Sequence, residues 1–270
     1  MTNSTCRYLV VDGTYLTSQE LPLNQSAPAI DVALLTGIMR DDGGPFSKFS
    51  KSSNASQALT EQGFDAAAIL GSNQFPYPQG SNTTITIFNL TARVTTDAEF
   101  RCLGQSTALS GAENGVFPVV YSYEFDRAYQ IVEWNPNPPT CTAPITPSQP
   151  YGDTNQPYFR CHSGELYYVF GTLVRQGQPP RDEEDIPFSQ YIVDSWTSFA
   201  REKNPTPNQA FLTARGFTNT TTTVKESSVW APIQGGTPTL RILNTKPRNE
   251  GYREIEQCNV LKLPLDYYSA

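Results

Sequence analysis

The sequence predicts an α/β protein whose sheet is mostly parallel, and three observations predict it. Residues 32–39 form a nearly continuous apolar run of strand length that stops at Arg40-Asp41-Asp42-Gly43-Gly44. Such a run suits a central strand buried on both faces of a parallel sheet. Residues 116–125 combine an apolar run with aromatic alternation, and their one proline lies near the start, where a missing ladder donor is tolerated. Between and after these strands lie helical patterns, at 98–111 and at Phe188, Ile192, Trp196 and Phe199. A hydrophobic content of 38% in 270 residues is enough for a buried core.

In chain order, residues 7–16 read as a short extended segment turned by Asp12-Gly13. After the 32–39 run, two carboxylates stand where the strand ends. In open α/β sheets ligands bind beyond the carboxyl ends of strands, although an Asp-Asp-Gly-Gly turn serves a solvated chain reversal equally well. Residues 56–68 have the length and composition of a helix, weakened at Gly63 by up to ~1 kcal/mol. Residues 81–94 alternate Thr and Ile, which predicts a strand by period. The helix predicted over 98–111 carries Cys102 on one face.

Residues 135–150 hold six prolines, which rules out helix and central strand and predicts a loop. That loop contains Cys141 and leads into Cys161-His162, the position of the chain's one histidine. A Cys141–Cys161 bridge is one way to fix the histidine loop. An unperturbed imidazole titrates near pH ~6.5, so His162 is the obvious group for acid–base chemistry, while a lone histidine is more often structural. Further on, acidic residues 182–185 precede Pro187 at the positive end of the predicted helix, and Asn204-Pro205 stops it. Its apolar stripe reads as core packing. Residues 239–243 read as a late strand, and Cys258 ties down the terminal segment.

Composition excludes several functions. A net charge of −7 without a concentrated Lys/Arg run leaves no electrostatic footprint for nucleic acid. No apolar run approaches the roughly 20 residues of a membrane span. Five cysteines without a C-x-x-C pair, beside a single histidine, fit sparse disulfides better than a zinc site. Sequons begin at Asn3, Asn24, Asn54, Asn82, Asn89 and Asn219, which points to a secreted glycoprotein from an oxidising compartment. The first residues lack the charged and apolar regions of a leader, so the expectation is that the natural N-terminus lies upstream of Met1.

Four separated stretches carry a resemblance. Cys161-His162-Ser163-Gly164-Glu165, followed by an apolar run ending in Phe170-Gly171, resembles the H-x-x-E segment with the catalytic histidine in type-B carboxylesterases, the cholinesterase-like group with fungal carboxylesterases and lipases. Asp41-Asp42-Gly43 resembles the D-E-G or D-D-G that carries the acid of the triad there. Asp194, Trp196, Phe199 and Ala200 resemble the family's D-x-W-x-x-F-A helix, and Val10-Val11-Asp12-Gly13 its V-x-D-G-x-x-L stretch.

The resemblance implies an α/β-hydrolase fold in which all of residues 1–270 form the C-terminal portion of one domain. It implies a serine-dependent ester hydrolase acting on a small-molecule or lipid ester, with His162 as base and acid, Asp42 as its orienter, and no metal or organic cofactor. Glu165 becomes a supporting residue. It also implies a Cys102–Cys258 disulfide, which with Cys141–Cys161 leaves Cys6 unpaired.

In α/β-hydrolases the nucleophile precedes the acid in a G-x-S-x-G elbow, and none occurs here. Ser163, adjacent to the histidine, has no elbow and is discounted. The expectation is therefore a fragment that lacks the serine and the oxyanion hole and is inactive alone, with an unpaired sheet edge where earlier strands belong. The alternative is a non-catalytic cholinesterase-like module for binding or adhesion.

Overall fold

The computed structural model describes residues 11–19, 21–132, 134–234 and 236–268. Their sheet has four strands, β1 (Leu34–Met39), β2 (Val120–Phe125), β3 (Leu240–Leu243) and β4 (Arg248–Glu250), in the spatial order β1-β2-β3-β4. The first three are parallel, with Leu34 opposite Val120 and Tyr123 opposite Arg241, and β4 turns back antiparallel on β3. Helices cover both faces: α1 (Ala55–Glu61), α2 (Ala66–Gly71), α3 (Thr83–Thr96), α4 (Cys102–Glu113), α5 (Leu166–Val169), α6 (Asp185–Glu202), α7 (Gln209–Arg215), α8 (Thr218–Glu226) and α9 (Ile255–Val260). A π-helical turn, Asp97–Arg101, joins α3 to α4.

The period of two along β2 divides the core. Tyr121, Tyr123 and Phe125 face α6, where they meet Phe188, Ile192 and Trp196, while Val120 faces α4 with Ala108, Leu109 and Ile242. A third cluster, Leu59, Ile69, Leu90 and Val94, holds α1, α2 and α3 together.

Three sequence expectations are corrected. Residues 81–94 are not a strand but most of α3. Asn82 caps that helix by accepting from the Ile85 amide at 3.2 Å, and the hydroxyls of Thr86, Thr91 and Thr96 donate back to carbonyls three or four residues earlier. Burial of Ile87, Leu90 and Val94, at roughly 1.5–3 kcal/mol each, outweighs the β-branched preference for a strand. The helix expected over 56–68 is two, because Gly63 takes a φ of 88° and Asp65 starts α2 by accepting from the Ala68 amide. Finally, β1 is not central among the described strands. It pairs only with β2, and of its six residues Met39 alone is buried.

Both expected disulfides are present. Cys102–Cys258 ties the start of α4 to α9, and Cys141–Cys161 closes the proline-rich loop. Loop-closure entropy gives about 5 kcal/mol for the first and about 3 kcal/mol for the second. Residues 11–16 form a turn in which Asp12 accepts from the amides of Thr14, Tyr15 and Leu16. Cys6, Asn3 and the extended segment's first residues lie outside the described residues. Among the described residues, no helix is long and apolar enough to cross a membrane.

Candidate active site

The site begins where β1 ends. The Arg40 amide still pairs with the Phe125 carbonyl, and the chain then turns sharply through residues 41–46. Asp42 is buried in this turn, its Oδ2 accepting from the Met39 amide at 2.9 Å. That leaves Oδ1 for a second partner, and the His162 Nδ1 lies 2.8 Å from it. Thus the two residues singled out in sequence, 120 positions apart, meet.

Gly43 makes this possible. Its amide donates to Thr96 Oγ1 at 2.9 Å, and a Cβ in its place would lie 2.3 Å from the Thr96 nitrogen and 2.7 Å from the Thr95 carbonyl carbon. The obstacle is helix backbone rather than a flexible side chain. Gly43→Ala is therefore expected to push the acid's turn off α3 and cost about 1–3 kcal/mol, read as a lower urea midpoint.

The histidine is held from three sides. Cys161 anchors it through the disulfide to Cys141. Asp41 and Arg160 exchange two bonds, the Asp41 amide to the Arg160 carbonyl at 3.0 Å and the Arg160 amide to Asp41 Oδ2 at 2.8 Å, so the acid's turn and the histidine's loop are stitched directly together. Gln130 Nε2 donates to the His162 carbonyl at 3.2 Å, and Ser163, at φ 68°, turns the chain away.

Three rings enclose the imidazole: Phe46 at 5.3 Å, Phe100 at 5.6 Å and Trp134 at 5.7 Å between centroids. Phe100 projects from the π-helical turn, whose extra residue shifts the helix phase and brings Glu99 and Phe100 to the site. A cavity of about 330 Å³, lined by Asp42, His162, Glu165, Glu99, Phe100 and Leu103, opens beside the imidazole.

The hydrogen bond to Asp42 raises the His162 pKa above its ordinary value, against the opposing effect of burial. A carboxylate only accepts, so Asp42 fixes the proton of the neutral ring on Nδ1 and leaves a lone pair on Nε2. Glu165 shares the cavity, and burial raises its carboxyl pKa. This arrangement can take a proton from a hydroxyl presented at Nε2 and return it.

Sequence reasoning missed Asp41's stitch, Gln130 and the three rings. Phe46, four residues past the acid, stands in the same turn and was the most findable of them. Phe100 was hidden by the phase shift of its turn.

The family model described as "Carboxylesterase family" matches residues 5–261. A solved structure of a PNB esterase is similar at 21% identity and a TM-score of 0.47, covering 85% of this chain and 38% of its own length. The chain thus spans well under half of that structure. No curated protein matches.

Proposed function

Because the chain belongs to the carboxylesterase family, and its helix-flanked sheet to the α/β-hydrolase fold, we propose that it supplies the acid and base of a serine-dependent carboxylic ester hydrolase. The observation that carries this reading is the 2.8 Å contact between His162 Nδ1 and Asp42 Oδ1. His162 Nε2 takes the serine proton as the hydroxyl oxygen attacks the ester carbonyl, then gives it to the departing alkoxide. Water repeats the cycle on the acyl-enzyme, and Asp42 orients the ring throughout.

The serine and oxyanion hole come from residues outside these 270, in which no Gly-x-Ser-x-Gly segment occurs. The substrate is a small-molecule or lipid ester, and the chain alone is inactive. An oxidising, extracellular setting is supported by the two disulfides and by the exposure of Asn24, Asn54, Asn82 and Asn219. The non-catalytic reading has less support, since a module without chemistry has no need of a buried carboxylate aligned on its only imidazole.

The test is p-nitrophenyl butyrate hydrolysis by the serine-bearing protein and by its His162→Ala variant. A loss of at least about 10³-fold in kcat/KM is expected, and equal rates would exclude His162 as the base.

A further inference from the structure

A second and larger cavity, of about 860 Å³, lies behind the histidine loop. It shares no lining residue with the cavity beside His162. One wall is α3, through Ile85 and Phe88, and the opposite wall is the proline-rich loop, with Pro144 and Ile145. Its size falls in the roughly 300–1,000 Å³ range of small-molecule sites.

Two features set it apart from a packing gap. Phe49, Phe88 and Phe159 form a nearly parallel pile, with centroids 4.1 Å and 6.0 Å apart and planes tilted by 17° and 20°. Ile85, Ile145 and Phe49 at the rim are exposed, so an apolar mouth faces water on an otherwise acidic chain.

Beside the neutral polar residues Asn89, Thr140 and Thr142, the lining carries two charged ones, Arg40 and Arg160. Arg40 is well matched, donating to Asp41 at 3.0 Å and to Asp126 at 2.6 Å. Arg160 is matched less fully. Its guanidinium donates to the Tyr158 carbonyl and lies 4.1 Å over the Tyr158 ring, but no carboxylate is hydrogen-bonded to it: the one it pairs with, Asp126, is 3.8 Å from Nε and already engaged by Arg40. Burial accordingly pulls the Arg160 pKa below its ordinary value. A guanidinium that lines an apolar cavity without a hydrogen-bonded carboxylate is matched in charge and geometry by an anionic ligand.

We propose that this cavity binds a long-chain monocarboxylate, with the alkyl chain against the phenylalanine pile and the carboxylate on Arg160. The proposal does not depend on catalysis by His162. It does place a ligand of the class that ester hydrolysis releases against the back of the catalytic loop, since Arg160 precedes Cys161-His162.

The experiment is fluorescence titration of the chain with cis-parinaric acid and, in parallel, with its methyl ester. The wild type is expected to bind the acid at least about tenfold more tightly than the ester. Ile85→Lys, a change at the exposed rim, should weaken both ligands about tenfold or more. Arg160→Met, which keeps an apolar stem over Tyr158, should remove the preference for the acid and leave ester binding in place, which also reports that the cavity is still folded. His162→Ala should bind as the wild type does. The proposal is overturned if acid and ester bind equally to the wild type, if Ile85→Lys leaves both affinities unchanged, or if His162→Ala abolishes binding.

Discussion

Asp185→Asn is expected to destabilise the protein by about 3–5 kcal/mol. The carboxylate is fully buried and accepts from three residues at once. Oδ1 takes the Tyr168 hydroxyl at 2.6 Å, Arg127 at 2.6 Å and Arg181 at 2.9 Å, and Oδ2 takes the Arg181 amide at 2.8 Å and its Nε at 3.0 Å. Removing its charge leaves two buried guanidiniums with only the partly exposed Asp182, which pairs with Arg127 at 2.5 Å.

The same group governs acid stability. Burial alone would raise the Asp185 pKa, but the Arg181 and Arg127 guanidiniums override it and hold the carboxyl far below its ordinary value. A depressed carboxylate contributes stability above its unfolded pKa of about 3.9, and that stability is lost as the pH falls. The variant should therefore show a lower urea midpoint at pH 7 and a flatter decline in stability below pH ~4. The exposed Lys203–Asp31 pair at 3.6 Å provides the comparison: Asp31→Asn should change stability by less than about 0.5 kcal/mol. Because Asp185 links the end of β2, α5 and the start of α6, its loss should also loosen the segment that follows His162.

What was legible in the sequence was local. The strand-length run before Asp42, the turn chemistry of Asp-Asp-Gly-Gly, and the Pro187 start with its apolar stripe each depend on neighbours within a turn or two, and each appears at its expected place. The failure at 81–94 has the opposite origin. Alternating Thr and Ile satisfies a period of two, but the same residues also place Ile87, Leu90 and Val94 on one helical face, and only the presence of α1 and α2 decides between them. The partial exposure of β1 is likewise a matter of which strands lie beside it, which its own residues do not encode.

At the site, the pairing of His162 with Asp42 was read from the resemblance of their two segments to one family, whereas the Asp41–Arg160 stitch spans 119 positions and has no local signature. The ring enclosure shows the same limit: Phe46, Phe100 and Trp134 come from three separate segments that are brought together only by folding.

Asp42→Asn is expected to lower the midpoint of the His162 titration, followed by proton NMR on the imidazole C–H resonance. One histidine in 270 residues makes the assignment unambiguous. In the wild type the midpoint should lie above about 6.5, because the hydrogen bond to Asp42 favours the imidazolium more than burial disfavours it. The variant keeps the burial and the pull of Glu165 but loses the Asp42 charge and its hydrogen bond, so the midpoint falls.

The sign for stability follows. A histidine raised in the folded state adds stability that is fully present below its unfolded pKa and is lost as the pH rises through the folded one, so the wild type should lose a small increment across that window and the variant should not. The ring's side chain is 43% exposed, which keeps the increment small.

The consequence for chemistry is larger. An amide at this position can donate to Nδ1 and stabilise the tautomer that carries its proton on Nε2, where no lone pair remains to accept from a hydroxyl. In the serine-bearing protein kcat should then fall by about 10⁴-fold near neutral pH, with little change in KM. A midpoint that does not move in the variant would show that the carboxylate does not control the imidazole, and would remove the basis for treating Asp42 and His162 as one catalytic unit.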